Sequence, residues 1–196
     1  GLAVAAAAAR AGASVRVIAA NIDESVMAAL PSGVEVTRVG SACEMREATM
    51  AQVIGADALV MTAAVADFRP EAAQASKMKK DPTKTDAPTL RLVRNPDILS
   101  EVGHSDIRPA LVVGFAAETG TDEEILANGA DKAARKGADY IALNRVGAGV
   151  GFGDVPNDIR LLDVGGQIVG RYIGSKDEVA AGLVAQMAAF LDNLER

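Results

Sequence analysis

"GADALVMTAAVADFRP", residues 55–70, decides the fold. Gly55 follows a helix-like stretch and suits the left-handed position just past a helix C-terminus, where a Cβ would be strained. Ala58–Met61 is then a short unbroken apolar run, the pattern of a strand covered on both faces. After it the side chains shrink to Ala63, Ala64 and Ala66, and Asp67 follows. Such a strand end opens its backbone amides and carbonyls to a ligand, or packs tightly against a helix; the alanines alone favour packing. Asp67 can accept from a ribose hydroxyl or help hold a metal ion, or it is a turn residue ahead of Pro70.

The same joint recurs at Gly12-Ala13-Ser14 and Gly137-Ala138-Asp139, ahead of the apolar runs Val15–Ala19 and Tyr140–Leu143. Helix starts are equally legible. Ser41…Glu44, Thr121…Glu124 and Ser175…Glu178 each fit a capping box, in which the hydroxyl takes the N3 amide and the Glu reaches back. The predicted helices are 2–11, 42–54, 122–136 and 176–194, with a short one over 96–102 that has Pro96 at its first position. Further strands are predicted at 35–39, 89–94 and 110–114. Strands 159–163 and 167–173 flank Gly165-Gly166, a hairpin signature. Alternating strands and helices imply an α/β fold, a Rossmann-like three-layer sandwich with a mostly parallel sheet and a C-terminal antiparallel hairpin. Ligands of such sheets bind at the carboxyl ends of the strands, where residues 62–67 lie.

The 196 residues are 49% apolar, enough for a single domain with a sizeable core, 1–196. With 3% aromatics and no Trp, that core must be built from Ala, Val, Leu and Ile. No stretch is long and apolar enough for a membrane span, and the single Cys43 excludes an intrachain disulfide and a cysteine-based structural zinc site. The cytoplasm is the simplest compartment. A net charge of −6 argues against a general nucleic-acid binder. Against that balance, residues 69–95 carry seven basic residues and three acidic ones, with "KMKK" at 77–80 as the centre. A basic island in an acidic chain fits an anionic ligand as well as it fits a solvated loop. At an effective dielectric of 20, one charge pair at 4 Å is worth about 4 kcal/mol, so several lysines can hold a triphosphate. Lys132 and Lys136, at i and i+4, share one helix face and repel slightly unless an anion lies between them.

Three patterns are decoys. "GAGVGFG", 147–153, has Phe152 where the dinucleotide loop needs its last Gly, and no helix follows. Tyr172 and Lys176 have the spacing of a reductase pair, but Gly174 and Ser175 break the helix between them. Cys43 and His104 have no partner in sequence, and His104 falls at a helix end. The chain opens on a helix with no strand ahead of it, so the expectation is that a strand and a phosphate-approaching loop lie upstream of Gly1.

Together, "AAVADFRP", "KMKK", "NPDIL" and "VGFAAET", in that order and spacing, closely resemble the phosphopantothenate–cysteine ligases, over nearly the whole chain. The resemblance implies that 4′-phosphopantothenate and L-cysteine are joined at the expense of CTP with Mg²⁺, through an acyl-cytidylate, in coenzyme A biosynthesis. FMN enters only if a decarboxylase domain precedes the chain. It implies that Met61, Thr62, Ala63 and Asp67 line the nucleotide site, that Lys77 is the catalytic lysine, and that Pro96, Asp97, Ile98 and Leu99 cradle cytidine. Phe115 packs near the nucleotide, and Lys132 and Lys136 contact it. The metal ligands are not indicated. It also implies a homodimer, alone or within a larger oligomer, with residues 69–88 as an arm crossing to the partner. Twenty residues without structure of their own would be unusual inside a compact monomer. Two other readings stay open from the residues alone: an NAD(P)-dependent reductase on a similar sheet, and a non-catalytic nucleotide-binding or dimerisation module.

Overall fold

A computed structural model describes residues 1–72, 76, 89–145 and 157–194. Lys77 and its neighbours, most of the 69–88 arm and the 147–153 glycine run lie outside the described residues. In chain order the elements are α1 (Leu2–Arg10), β1 (Arg16–Ala19), α2 (Glu24–Met27), β2 (Glu35–Arg38), α3 (Ala42–Gln52), β3 (Ala58–Met61), β4 (Phe68–Pro70), β5 (Leu92–Arg94), α4 (Ile98–Gly103), β6 (Leu111–Glu118), α5 (Asp122–Lys136), β7 (Tyr140–Arg145), β8 (Asn157–Asp163), β9 (Ile168–Gly174) and α6 (Lys176–Leu194).

The central sheet has the order β3-β6-β7-β8-β9. β3, β6 and β7 pair in parallel, and β7, β8 and β9 pair antiparallel, so the sheet is more evenly mixed than the sequence pattern suggests. Alternation divides its side chains between two cores. Leu111, Val113, Tyr140, Ala142, Ile159 and Leu161 point to α1 and α6, where Val4, Ala7, Val179, Ala180 and Leu183 close over them. Val112, Ile141, Leu143 and Leu162 point the other way, under Val53, Val102, Ile125 and Ala133 from the α3, α4 and α5 side. This is the three-layer arrangement, and it explains why β6 and β7 read as unbroken apolar runs.

Two short ladders stand apart from that sheet. β1 and β2 pair with each other in parallel, and β4 and β5 form an antiparallel ribbon with Phe68 opposite Arg94 and Pro70 opposite Leu92. Neither β4 nor the one-turn α2 has a sequence signal of its own. β4 is a strand because β5 returns beside it, and α2 rests on Asp23, whose side chain accepts from the Ser25 amide at 2.8 Å.

The three joint glycines all take positive φ: Gly12 at 94°, Gly55 at 70° and Gly137 at 62°. The boxes at Thr121 and Ser175 close as expected. At Ser41 the hydroxyl accepts from Glu44, but the Glu44 carboxylate reaches the Gly40 amide instead, at 2.6 Å. The start of α4 also differs from expectation. Asp97, not the residue before Pro96, is its cap, accepting from the Ser100 amide at 3.2 Å, so Pro96 precedes the helix. A carboxylate accepts an orphan helix amide directly, and the helix begins after it. The 89–94 strand is shortened to Leu92–Arg94 and lies in the ribbon rather than in the central sheet. Among the described residues no helix is long and apolar enough to cross a membrane.

Candidate functional site

β3 and β6 run parallel, with Met61 opposite Gly114, so their carboxyl ends open side by side. A small cleft of about 150 Å³, open to solvent on one side, lies there. One wall is the loop after β3, with Met61, Ala63 and Asp67. The facing wall is Pro96, Asp97, Ile98 and Leu99 ahead of and within α4, and Phe115 of β6 and Lys136 of α5 complete it. Four separate stretches of sequence therefore meet in one cleft. Val65, Ala66 and Asn95 line it as well. Ala66 is one of the small strand-end residues singled out in the sequence, whereas Val65 and Asn95 are not. An Asn immediately before a Pro, between a strand and a helix, was the available signal for Asn95.

Thr62 is not in the lining. It stands beside the start of α1, where a Cβ added to Gly1 would come within 2.6 Å of its Oγ1. Lys132 is also outside the lining. Its ammonium donates to the Glu118 carboxylate at 2.7 Å, at the end of β6. No sequence spacing could have announced that pair, which depends on how α5 lies along β6.

The cleft's electrostatics centre on Lys136 and Asp97, which form a direct ion pair across it. The Lys136 side chain is only 18% exposed, so it is held rather than waving in solvent. Partial burial pushes the Asp97 carboxyl up, but the Lys136 ammonium and the Ser100 amide outweigh that effect and leave it below the ordinary aspartate value. Asp97 thus does two things: it caps α4 and it fixes the cation.

The position of α4 is set from behind. Arg46 of α3 forks onto Glu101, with Nε donating to Oε2 at 2.6 Å. At the far end, Gly103 of α4 meets the end of α5 backbone to backbone. A Cβ on Gly103 would lie 2.8 Å from the Gly137 carbonyl oxygen, and one on Gly137 would lie 2.7 Å from that of Gly103. Gly114 admits Leu99, since a Cβ there would fall 2.6 Å from a Leu99 methyl.

The other sequence patterns come to rest elsewhere. Tyr172 is on β9 and Lys176 opens α6, so they share no helix face, and Tyr172 packs against Gly182. Cys43 lies in the first turn of α3, and His104 caps α4 at its exposed end. Among the described residues no group of three or more His, Cys, Asp or Glu gathers as a metal cage.

The family model for the DNA/pantothenate metabolism flavoprotein C-terminal domain matches residues 1–191. The chain is 42% identical to the coenzyme A biosynthesis bifunctional protein CoaBC of Vibrio parahaemolyticus, covering 86% of the chain and 40% of that protein. It is 39% identical to CoaBC of Mycobacterium tuberculosis, covering 97% of the chain and 46% of that protein. It therefore spans less than half the length of these curated relatives. Among solved structures, the C-terminal domain of a CoaBC superposes with a TM-score of 0.73 at 26% identity, over 98% of this chain and 82% of that one. With a match over nearly its whole length and a superposable α/β sheet, the chain belongs to the DNA/pantothenate metabolism flavoprotein C-terminal domain family.

Proposed function

We propose that this chain is the phosphopantothenate–cysteine ligase unit of a coenzyme A biosynthesis enzyme, using CTP. The supporting observation is the single cleft into which Met61 and Ala63, Asp67, Pro96 to Leu99, Phe115 and Lys136 converge at the carboxyl ends of β3 and β6. Parallel strands joined by helices, with ligand at that end, are the Rossmann-like arrangement.

In this reading a carboxylate oxygen of 4′-phosphopantothenate attacks the α-phosphorus of CTP. The bond to the bridging oxygen breaks and pyrophosphate leaves. The cysteine nitrogen then attacks the acyl carbon, loses a proton, and expels CMP. A carboxylate approaching a triphosphate meets repulsion, so cations set the rate. Lys136 brings one such charge to the cleft wall, and Lys77 brings the principal one from the basic segment. The backbone of Met61 and Ala63 and the Pro96–Leu99 segment hold the base and ribose, beside the Phe115 ring. Lys132 waits beside Glu118 for the phosphates.

Mg²⁺ usually enters such sites on the triphosphate, with one or two protein carboxylates and its own waters. That suits a cleft whose lining carries two carboxylates, Asp67 and Asp97. Asp67, on the cleft wall, is the residue that would hold it, and the ion would neutralise phosphate charge as pyrophosphate departs.

Homodimerisation is supported by the β4–β5 ribbon. Cross-strand partners share a face, which puts Phe68, Pro70 and Leu92 together. Phe68 is 52% exposed and Leu92 54%. A second copy of the chain would cover them and carry its own 69–88 segment across. The enzyme works on small molecules, in the cytoplasm, without nucleic acid or membrane.

Pyrophosphate release from CTP, 4′-phosphopantothenate and L-cysteine tests the proposal in the full-length natural protein. Release that requires both the acid and CTP is the expected result. Folded protein that binds CTP but releases none would leave a non-catalytic nucleotide-binding module. A thermal shift with NADPH and none with CTP would favour a reductase.

A further inference from the structure

We infer that Asn95 is a positioning residue that sets the width of the nucleotide cleft. This rests on the reading of the cleft as the CTP site. Its two walls come from stretches about thirty residues apart in the chain, the loop after β3 and the segment leading into α4. Asn95 joins them twice. Its backbone amide donates to the Asp67 carbonyl at 2.8 Å, and its side-chain Nδ2 donates to the Ala66 carbonyl at 2.8 Å. Behind it, Arg69 of β4 donates one nitrogen both to Asn95 Oδ1 at 3.0 Å and to the Arg94 carbonyl at 2.7 Å.

The arrangement requires an amide. The guanidinium has only donors, so the amide oxygen must face it, and the amide nitrogen must then face Ala66. A flipped amide would set donor against donor and oxygen against oxygen. A carboxylate at 95 keeps the Arg69 contact but confronts the Ala66 carbonyl with negative charge. A shorter side chain spans neither gap. Both ends of the Asn95 side chain are engaged within the protein. Its effect on a nucleotide therefore passes through Ala66 and Asp67, which line the cleft with it. Small displacements of a binding wall cost far more in productive binding than in fold stability.

The test compares wild type with Asn95→Asp, Asn95→Ala, Arg69→Ala and Arg69→Lys in the full-length natural protein. CTP binding is measured by calorimetry, kinetic constants are measured for all three substrates, and each melting temperature is recorded. Asn95→Asp is expected to raise the Kd and KM for CTP about ten-fold or more. The KM values for the acid and for cysteine should stay within about two-fold, with kcat little changed. Arg69→Ala should give a smaller loss in the same constants, partly restored in Arg69→Lys, and smaller still when Asn95 is already Ala. Wild type that fails to bind CTP overturns the functional reading, and this inference with it. Wild-type CTP affinity in folded Asn95→Asp overturns the inference alone, as does a uniform loss for all three substrates that follows the melting temperature. If Asn95→Asp does not fold, the exposed Arg69 variants decide. An unchanged CTP Kd in Arg69→Ala overturns the inference, and a raised one rescued by Lys supports it.

Discussion

The central sheet and the β4–β5 ribbon are built from similar apolar residues and treat them in opposite ways. In the sheet, Leu111, Val112, Leu161 and Leu162 are fully buried between two helical layers. In the ribbon, Phe68 and Leu92 are each more than half exposed, on strands of three residues held by a few ladder bonds. A two-stranded ribbon alone is marginal in water, so its side chains cannot serve this chain's own core. The sheet supplies stability, and in the proposed reading the ribbon and the cleft beside it supply contacts for a second copy and for a nucleotide. That division can be broken or sharpened by substitution.

The largest effect is expected in the sheet. Leu161→Ala removes a fully buried side chain and should cost about 2–5 kcal/mol in chemical denaturation, with no selective loss of any one substrate. A cost near zero would mean that the two cores are not the source of stability. Next comes the basic segment between β4 and β5. Lys77→Ala should cut kcat by roughly a hundred-fold or more, the scale of losing one charged group aimed at the transition state, while the melting temperature holds. A wild-type rate would remove Lys77 from the chemistry. Third is the ribbon face. Phe68→Ser should change monomer stability by less than about 0.5 kcal/mol, the usual range for surface positions. The same variant should weaken self-association by about ten-fold or more in sedimentation. If it unfolds the chain as Leu161→Ala does, the ribbon belongs to the core after all.

The smallest effect concerns pH. Asp97 has a folded value below its unfolded one. It therefore contributes stability that is complete above the ordinary aspartate range, near 4, and is lost as the pH falls through the lowered folded value. Asp97→Asn should flatten the acid limb of the stability profile, and an unchanged limb would remove the pair with Lys136 from the balance.

The sheet was legible because its signals are local. A strand buried on both faces is an unbroken apolar run, and a helix start is a hydroxyl three residues ahead of a Glu. The Tyr140–Leu143 run and the Thr121 cap needed nothing beyond their neighbours. Only one strand of the ribbon was legible, as the 89–94 run, because Phe68–Pro70 is a strand only by virtue of Leu92–Arg94, more than twenty residues on. Site residues divide in the same way. Residues at a strand's end, such as Met61 and Asp67, could be placed from the strand itself. The partners of Lys132, Lys136 and Asn95 depend on how α5, β6 and two loops meet, and no spacing encodes that.

The bare backbone contact between Gly103 and Gly137 has a reach beyond its own place. It lies at the rear of the cleft, where α4 and α5 end, and Lys136 is the residue just before Gly137. A single methyl group there would push two helices apart, and with them the cation and the carboxylate that face each other across the opening. If the cleft holds the proposed nucleotide, its ligand preference can therefore be tuned from the hidden side, by spacing alone, with every cleft-lining residue left as it is.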